Sequence, residues 1–552
     1  MVHPTESAGG TLCLDALVIA VNAAVNAAVD MGGLWYTSTI ELQMVCLDLC
    51  VAYRSAWGIS TMRVVVTFRT PRHLWLRGDH DVYGKKRLGA SRVPRLPVRA
   101  VTVSEWPRRV QPCPPDRDRQ LGHVRRLLRF GSFRLGLGRH WWPETLREVR
   151  FGSTFNKSLN RLVWPASLQK LSLGMFFNQP IARVTWPTSL QQLSFGHCFN
   201  QPIVGATWPA SLQMLSLGGD DFNQPIVGAV WPASLQKLSF GYQFNQPIAG
   251  VVWPASLQDV SFGWSFNHPI VGAVWPASLQ KLSLGSAFNQ PIAEVVWPAS
   301  LQQLSFGWVF DQPIVGVVWP DSLQQLSCLG NHPIVGVVWP ACLKTLSFGY
   351  HFNCPLGGVL WPASLQQLSF EGSFNQSIVG VVWPASLQQL SLAGRFNQSI
   401  VGVVWPASLH WLWCAGDFNQ PIAGAVWPAS LHKLSFGYNF NQPISAVVWP
   451  AFLERLSFGW TFNKPVLGVV WPASLRILSF GAAFNQPIVG VLWPASLQKL
   501  SFGAAFHQPI VGVVWPASLQ ELSFGGHFGH PIAGVVWPPS LRSVTDGYRR
   551  LL

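Results

Sequence analysis

The sequence predicts a mainly β solenoid of about nineteen 22-residue coils, with short parallel strands and non-helical returns. Two observations carry this reading. Trp-Pro pairs run from Trp142 to Trp537, nineteen in all, and sixteen of their eighteen intervals are 22 residues; one is 23 (Trp208 to Trp231) and one is 20 (Trp319 to Trp339). Self-similarity at a fixed period of this size marks a solenoid, in which one supersecondary unit stacks on its copies. Within the unit, apolar residues alternate briefly and are followed by Gly and Pro, which suits a strand and a turn-rich return.

The unit is clearest from Trp297 onward. Counting from the Leu that follows Trp-Pro-Ala-Ser, Leu301 is position 1 and Ser322 is position 22. Leu304, Ser305 and Phe306, at positions 4 to 6, alternate as in a half-buried strand. Gly307 marks a bend, and Pro313, Gly316 and Pro320 exclude a helix of useful length in the return. Positions 1, 4, 6, 10, 14, 17 and 19 are expected to point inward. A lone coil buries too little to offset its chain entropy, so stacking has to supply interstrand bonds and cover the coil faces. Position 11 is Asp311 here but Asn in nearly every other coil, as at Asn178, Asn200, Asn223, Asn245 and Asn267. It is expected to lie inside, bonding its amide to the backbone of adjacent coils, because turn groups within a solenoid need partners.

The recurrence of Phe-Asn-x-Pro-Ile with Pro-x-Ser-Leu-x-x-Leu-x-Phe-Gly over about 142–545 resembles the FNIP repeat, a 22-residue relative of the leucine-rich repeat. The resemblance implies a leucine-rich-repeat-like solenoid with a binding role and no catalytic residues to carry over. Trp precedes Pro where the family commonly has Leu. Some relatives add an N-terminal F-box or a kinase domain, and neither pattern is found here.

Of the 552 residues only 11% are charged, yet there are 29 Trp, as copying one apolar unit requires. The net charge of +15 is uneven: residues 1–141 hold 20 Lys/Arg against 10 Asp/Glu. Nine Cys follow no repeat, so no ladder of disulfides can form; this fits reduced thiols and an intracellular, cytoplasmic protein. No cofactor or metal site is expected, since no Cys-x-x-Cys or His-x-x-x-His spacing occurs.

Three regions follow in order. Residues 1–123 read as a basic, partly disordered N-terminal region with a possible helix at 12–29. That apolar run is broken by Asp15, Asn22 and Asn26, unlike a signal peptide or a membrane span. The Arg- and Pro-rich stretch 69–129 reads as a flexible arm, through which nucleic acid could bind, or as a solvated linker. Residues 124–547 form the solenoid, opening on a degenerate, Arg-rich capping coil at 124–141. A second cap is expected at 541–552, where Asp546 replaces the position-6 Phe. The 20-residue coil is expected to put a hitch in the stack. Gly372, Gly394 and Gly416, shifted by one place, are expected to give a distinct bend.

A binding surface is sought where copies of one unit differ. Strand positions 3 and 5, with position 8 beyond the bend, should face outward. Position 8 carries Tyr242, Trp264, Trp308, Tyr350, Tyr438 and Trp460; position 3 carries Lys237, Lys281, Trp411, Lys433 and Arg455. Exposed aromatics beside cations are materials of a protein-binding hot spot. They are equally the product of drift on a tolerant loop. The Ser row at position 5 has no His-Asp partner at fixed spacing, so an enzyme is not expected. Asn156, Asn375 and Asn397 begin sequons by pattern but occupy position 11. The function expected is recognition of a partner protein. Two alternatives stay open: a substrate-recognition adaptor in protein turnover, and a secreted carbohydrate-binding surface protein.

Overall fold

The computed structural model describes Glu41–Met44, Val64–Thr67, Ala100–Val103, and residues 146–160, 162–547 and 549–551. The helix expected at 12–29 and the capping coil at 124–141 lie outside the described residues. The chain divides into two compact units: Met1–Gln246 with Val251–Leu257, and Pro247–Gly250 with Gln258–Leu552.

In the first unit, Glu41–Met44 pairs antiparallel with Val64–Thr67, which pairs antiparallel with Ala100–Val103. That strand lies within the stretch read from sequence as a flexible arm, and it runs parallel to Glu148–Phe151. Its residues, Ala-Val-Thr-Val, are mostly β-branched and suit a pleated surface. Parallel pairing then continues one coil at a time through Lys170–Ser172, Gln192–Ser194, Met214–Leu217 and Lys237–Phe240. The extra residue of the 23-residue coil is taken up in the bend at Gly218–Asp221, where Asp221 N donates to His197 O at 3.0 Å.

In the second unit, parallel strands follow every coil from Asp259–Ser261 to Ser543–Asp546, each paired with the next at positions 3 to 5; Leu304, for example, lies beside Leu326. Arg549–Arg550 then folds back antiparallel on Thr545 and Asp546. Among the described residues there is no helix. All seven positions read as inward are buried: Leu301, Leu304, Phe306, Phe310, Ile314, Val317 and Trp319 are exposed by 6% or less.

Repetition converts each inward residue into a file. Phe374, Phe396 and Phe418 stack at 6.0 Å between successive ring centroids, with planes within 8°. Trp297 and Trp319 stack at 6.1 Å. The indole N–H groups of Trp319, Trp383 and Trp515 are buried and have no hydrogen-bond acceptor among the described residues. That loss is offset by the large apolar area an indole removes from water.

Polar files tie the coils at their corners. Asn178 Oδ1 accepts from the backbone N–H of Asn200 at 3.0 Å and from Gln201 Nε2 at 2.9 Å, and the pattern recurs coil after coil. The amide therefore bonds the neighbouring backbone as expected, but the side chain is only half-buried and Asn267 is exposed. The reason is that the N–H it satisfies lies on the bend at the edge of the sheet. Sequence reasoning missed a second file: Ser322 Oγ donates to Leu301 O at 2.7 Å, as does nearly every position-22 Ser to the coil before it. Cys342 and Phe452 replace that Ser in two coils, and both are exposed.

Glycine is required for two different reasons. At position 16 the backbone is left-handed, as at Gly316 with φ 83°, and Val317 N closes the turn onto Ile314 O. At position 7 the coils touch: a Cβ on Gly481 would lie 1.5 Å from Gly459 O. The shifted glycines Gly372, Gly394 and Gly416 have φ of 54°, 67° and 67°, the distinct bend the sequence predicted. The short coil produces the expected hitch. Its strand Gln325–Leu329 slips register after Ser327, so that Leu329 pairs with Phe348. The position-11 file nevertheless continues through it, from Asp311 to Asn331 to Asn353.

Candidate functional site

Alternation sends positions 3 and 5 of each strand to the face opposite the buried Leu and Phe, and the bend carries position 8 out beside them. All seven aromatics singled out from sequence are exposed, from 38% at Trp411 to 64% at Trp308. Lys281, Lys433 and Arg455 are exposed and Lys237 is half-buried.

Tyr242 and Lys237 belong to the first unit, and those of the second unit do not form one site. In the second, Trp264 and Trp308 meet edge to face at 5.7 Å, although they are two coils apart. Tyr350 stands apart with His351 and covers the backbone of Gly372. Lys281 lies in register with Asp259.

The remaining five gather over three successive coils, 409–461. Trp411, Lys433 and Arg455 occupy adjacent strands at the same register. On the loop above them Tyr438 and Trp460 stack face to face, 5.7 Å apart at 13°. Sequence reasoning missed a sixth member, Trp413, which replaces the position-5 Ser and is 40% exposed. Its ring lies 6.5 Å from that of Trp411, nearly parallel. The signal was available, since Trp413 alone among positions 5 of the second unit is aromatic. Beneath it, burial pushes the Cys414 thiol up to about 12, so the sulfur is a neutral packing group here.

Two grooves flank the cluster. One, beyond Trp460, is floored by Ala482, Ala483, Ala504 and Ala505 and reaches His507 and His527. The other is polar, lined by Arg395, Asp417, Asn439 and Thr461 with the Asn file behind them. The position-5 hydroxyls bond one another, as Ser457 Oγ to Ser435 Oγ at 2.8 Å. Among the described residues no group of three His, Cys, Asp or Glu is placed to hold a metal ion, and no helix is long and apolar enough to cross a membrane.

The FNIP Repeat family model matches eight stretches: 155–198, 177–220, 199–243, 244–287, 288–327, 418–461, 462–505 and 484–527. The chain belongs to the FNIP repeat family. Among solved structures, this FNIP repeat protein is similar to CroV588, described as a novel circular LRR protein, at 35% identity, covering 74% of this chain and 73% of that one with a TM-score of 0.55. Further matches are a leucine-rich-repeat protein of Leptospira interrogans (18% identity, 69% of this chain and 84% of that one, TM-score 0.31) and an internalin of Listeria monocytogenes (12%, 66% and 82%, 0.27). No curated protein matches.

Proposed function

We propose that this FNIP repeat protein is a non-enzymatic scaffold that recognises a partner protein through the strand face and loop of coils 409–461. Repeat scaffolds of the leucine-rich type generally mediate protein–protein interaction. The observation that supports this site is the gathering of four aromatic rings and two cations over three adjacent coils. Trp, Tyr and Arg are the residues that dominate binding energy at interfaces. Among the described residues Lys433 and Arg455 have no ion-pair partner, whereas Lys499, on the same row, is held by Glu521 at 2.8 Å. Two unneutralised cations between aromatic walls suit a segment carrying carboxylates and apolar side chains. The reading includes an intracellular, cytoplasmic site of action, supported by free Cys198, Cys342, Cys354 and Cys414.

The test is comparative capture by the full chain and by a Trp411→Ala, Arg455→Glu, Trp460→Ala variant. Each of these side chains is exposed, so the variant keeps the fold, which thermal melting checks. A specific partner retained by the native chain should be lost by the variant, with affinity falling on the order of 100-fold or more, as for hot-spot truncations of 2 kcal/mol and upward. Equal capture by both would remove this cluster from the function.

A further inference from the structure

The return side of the second unit carries a surface that the strand face does not explain. Thirteen successive returns, from Pro269 to Ser540, present Val or Leu at position 18, and these thirteen side chains are 75–84% exposed, from Val426 to Leu492. They rank among the most exposed large apolar groups in the chain. Position 15, three residues earlier, is Val in seven of these returns and is exposed in all thirteen; position 21, three residues later, is Ala in eleven and likewise exposed. Successive coils approach closely on this side: a Cβ built on Gly402 would rest 3.9 Å from Val379 of the preceding coil. Over positions 13 to 22 of the thirteen returns, the only charged residues are Glu294 and Asp321.

Soluble monomers rarely expose a contiguous apolar patch beyond a few hundred Å2. Packing does not require Val at position 18, since the side chain touches solvent; Thr185 and Thr207 stand there in the first unit. We infer that this face is an interface with the same face of a second copy of the chain. Three features select that occupant. An identical copy has the same coil spacing, so its Val rows fit between these rows over many coils, as an isologous contact needs. A standard interface takes about 20–30 residues a side, and three rows over seven to ten coils supply that number. The face also lacks what other partners demand. It offers no cations for nucleic acid, and none of the Lys, Arg, Trp or Tyr that a membrane-surface element carries.

Sedimentation equilibrium of the full chain decides it. At about 10 µM, where interfaces of this class are populated, the native chain should run at twice its 61.0 kDa. A variant with Val382→Lys, Val404→Lys, Val426→Lys and Val448→Lys should run as a folded monomer, its dissociation constant raised on the order of 100-fold. Should the Lys variant fail to fold, Thr at the same four positions keeps the shape, and a weakened dimer there supports the proposal. A native monomer, or a dimer unchanged by these substitutions, overturns it. A native monomer that floats with neutral phosphatidylcholine vesicles, and loses that in the variant, also overturns it by assigning the face to lipid.

Discussion

Gly481→Ala is expected to break the stack into two independently melting segments. The added methyl would sit 1.5 Å from the carbonyl oxygen of Gly459, a backbone atom that cannot turn aside. The two coils have to part locally, which removes the ladder bonds on either side. A loss of about 4 kcal/mol or more belongs to this mechanism. Solenoid stability is a sum of nearest-neighbour terms, so the defect should appear as a split thermal transition rather than a uniform shift. Gly316→Ala is the matched control. A Cβ there meets nothing within 4 Å, and the only cost is its left-handed backbone, about 1–2 kcal/mol. Equal effects from the two substitutions would mean that coil-to-coil contact at position 7 is not what demands glycine.

Phe396→Ala should cost about 3–5 kcal/mol, the range for emptying a buried aromatic site. Phe396 is fully buried, and its ring is sandwiched between Phe374 and Phe418, so neither neighbour can collapse into the space without breaking its own stack. The chain carries a natural comparison. The 20-residue coil has no position-10 Phe, and there two residues of the bend are missing as well and the strand register slips. The ring can be dispensed with only when the backbone around it is rebuilt. The check is the shift in urea midpoint against that of Val309→Ala, which is 51% exposed on a bend and should move stability by no more than about 0.5 kcal/mol.

These residues also show what the sequence could and could not disclose. The inward set was legible because seven apolar positions recur at fixed spacing, and a residue copied that often is either packed or idle. The Asn file was legible as a coil-to-coil tie, while its half-buried placement was not, because periodicity carries no information about depth at a bend. The Ser file escaped notice because Ser after Pro-Ala reads as ordinary turn chemistry until the previous coil's carbonyl is seen above it. The exposed Val row was hidden by its neighbour: Val317 and Val318 are consecutive and chemically alike, and only the path of the backbone sends one inward and the other out.

The candidate site was legible residue by residue but not as a group. Position 8 aromatics spread over eleven coils are equivalent in a list. Register places Trp411, Lys433 and Arg455 side by side, and the loop folds Tyr438 onto Trp460. Trp413 was overlooked because a row of Ser invited attention to its hydroxyls rather than to its one large exception.

Photo-crosslinking from within the site is the most direct test that the strand face of coils 409–461 is the recognition surface. Benzoylphenylalanine placed at Ser457, beside Arg455 and on the outward face, should form an adduct with a partner protein in the source cell. The same probe at Ser305, on the same face four coils or more away, should not form it. An adduct from Ser457 that disappears when Trp460 is changed to Ala is the result the account predicts. The same adduct from both positions, or its persistence without Trp460, would contradict it.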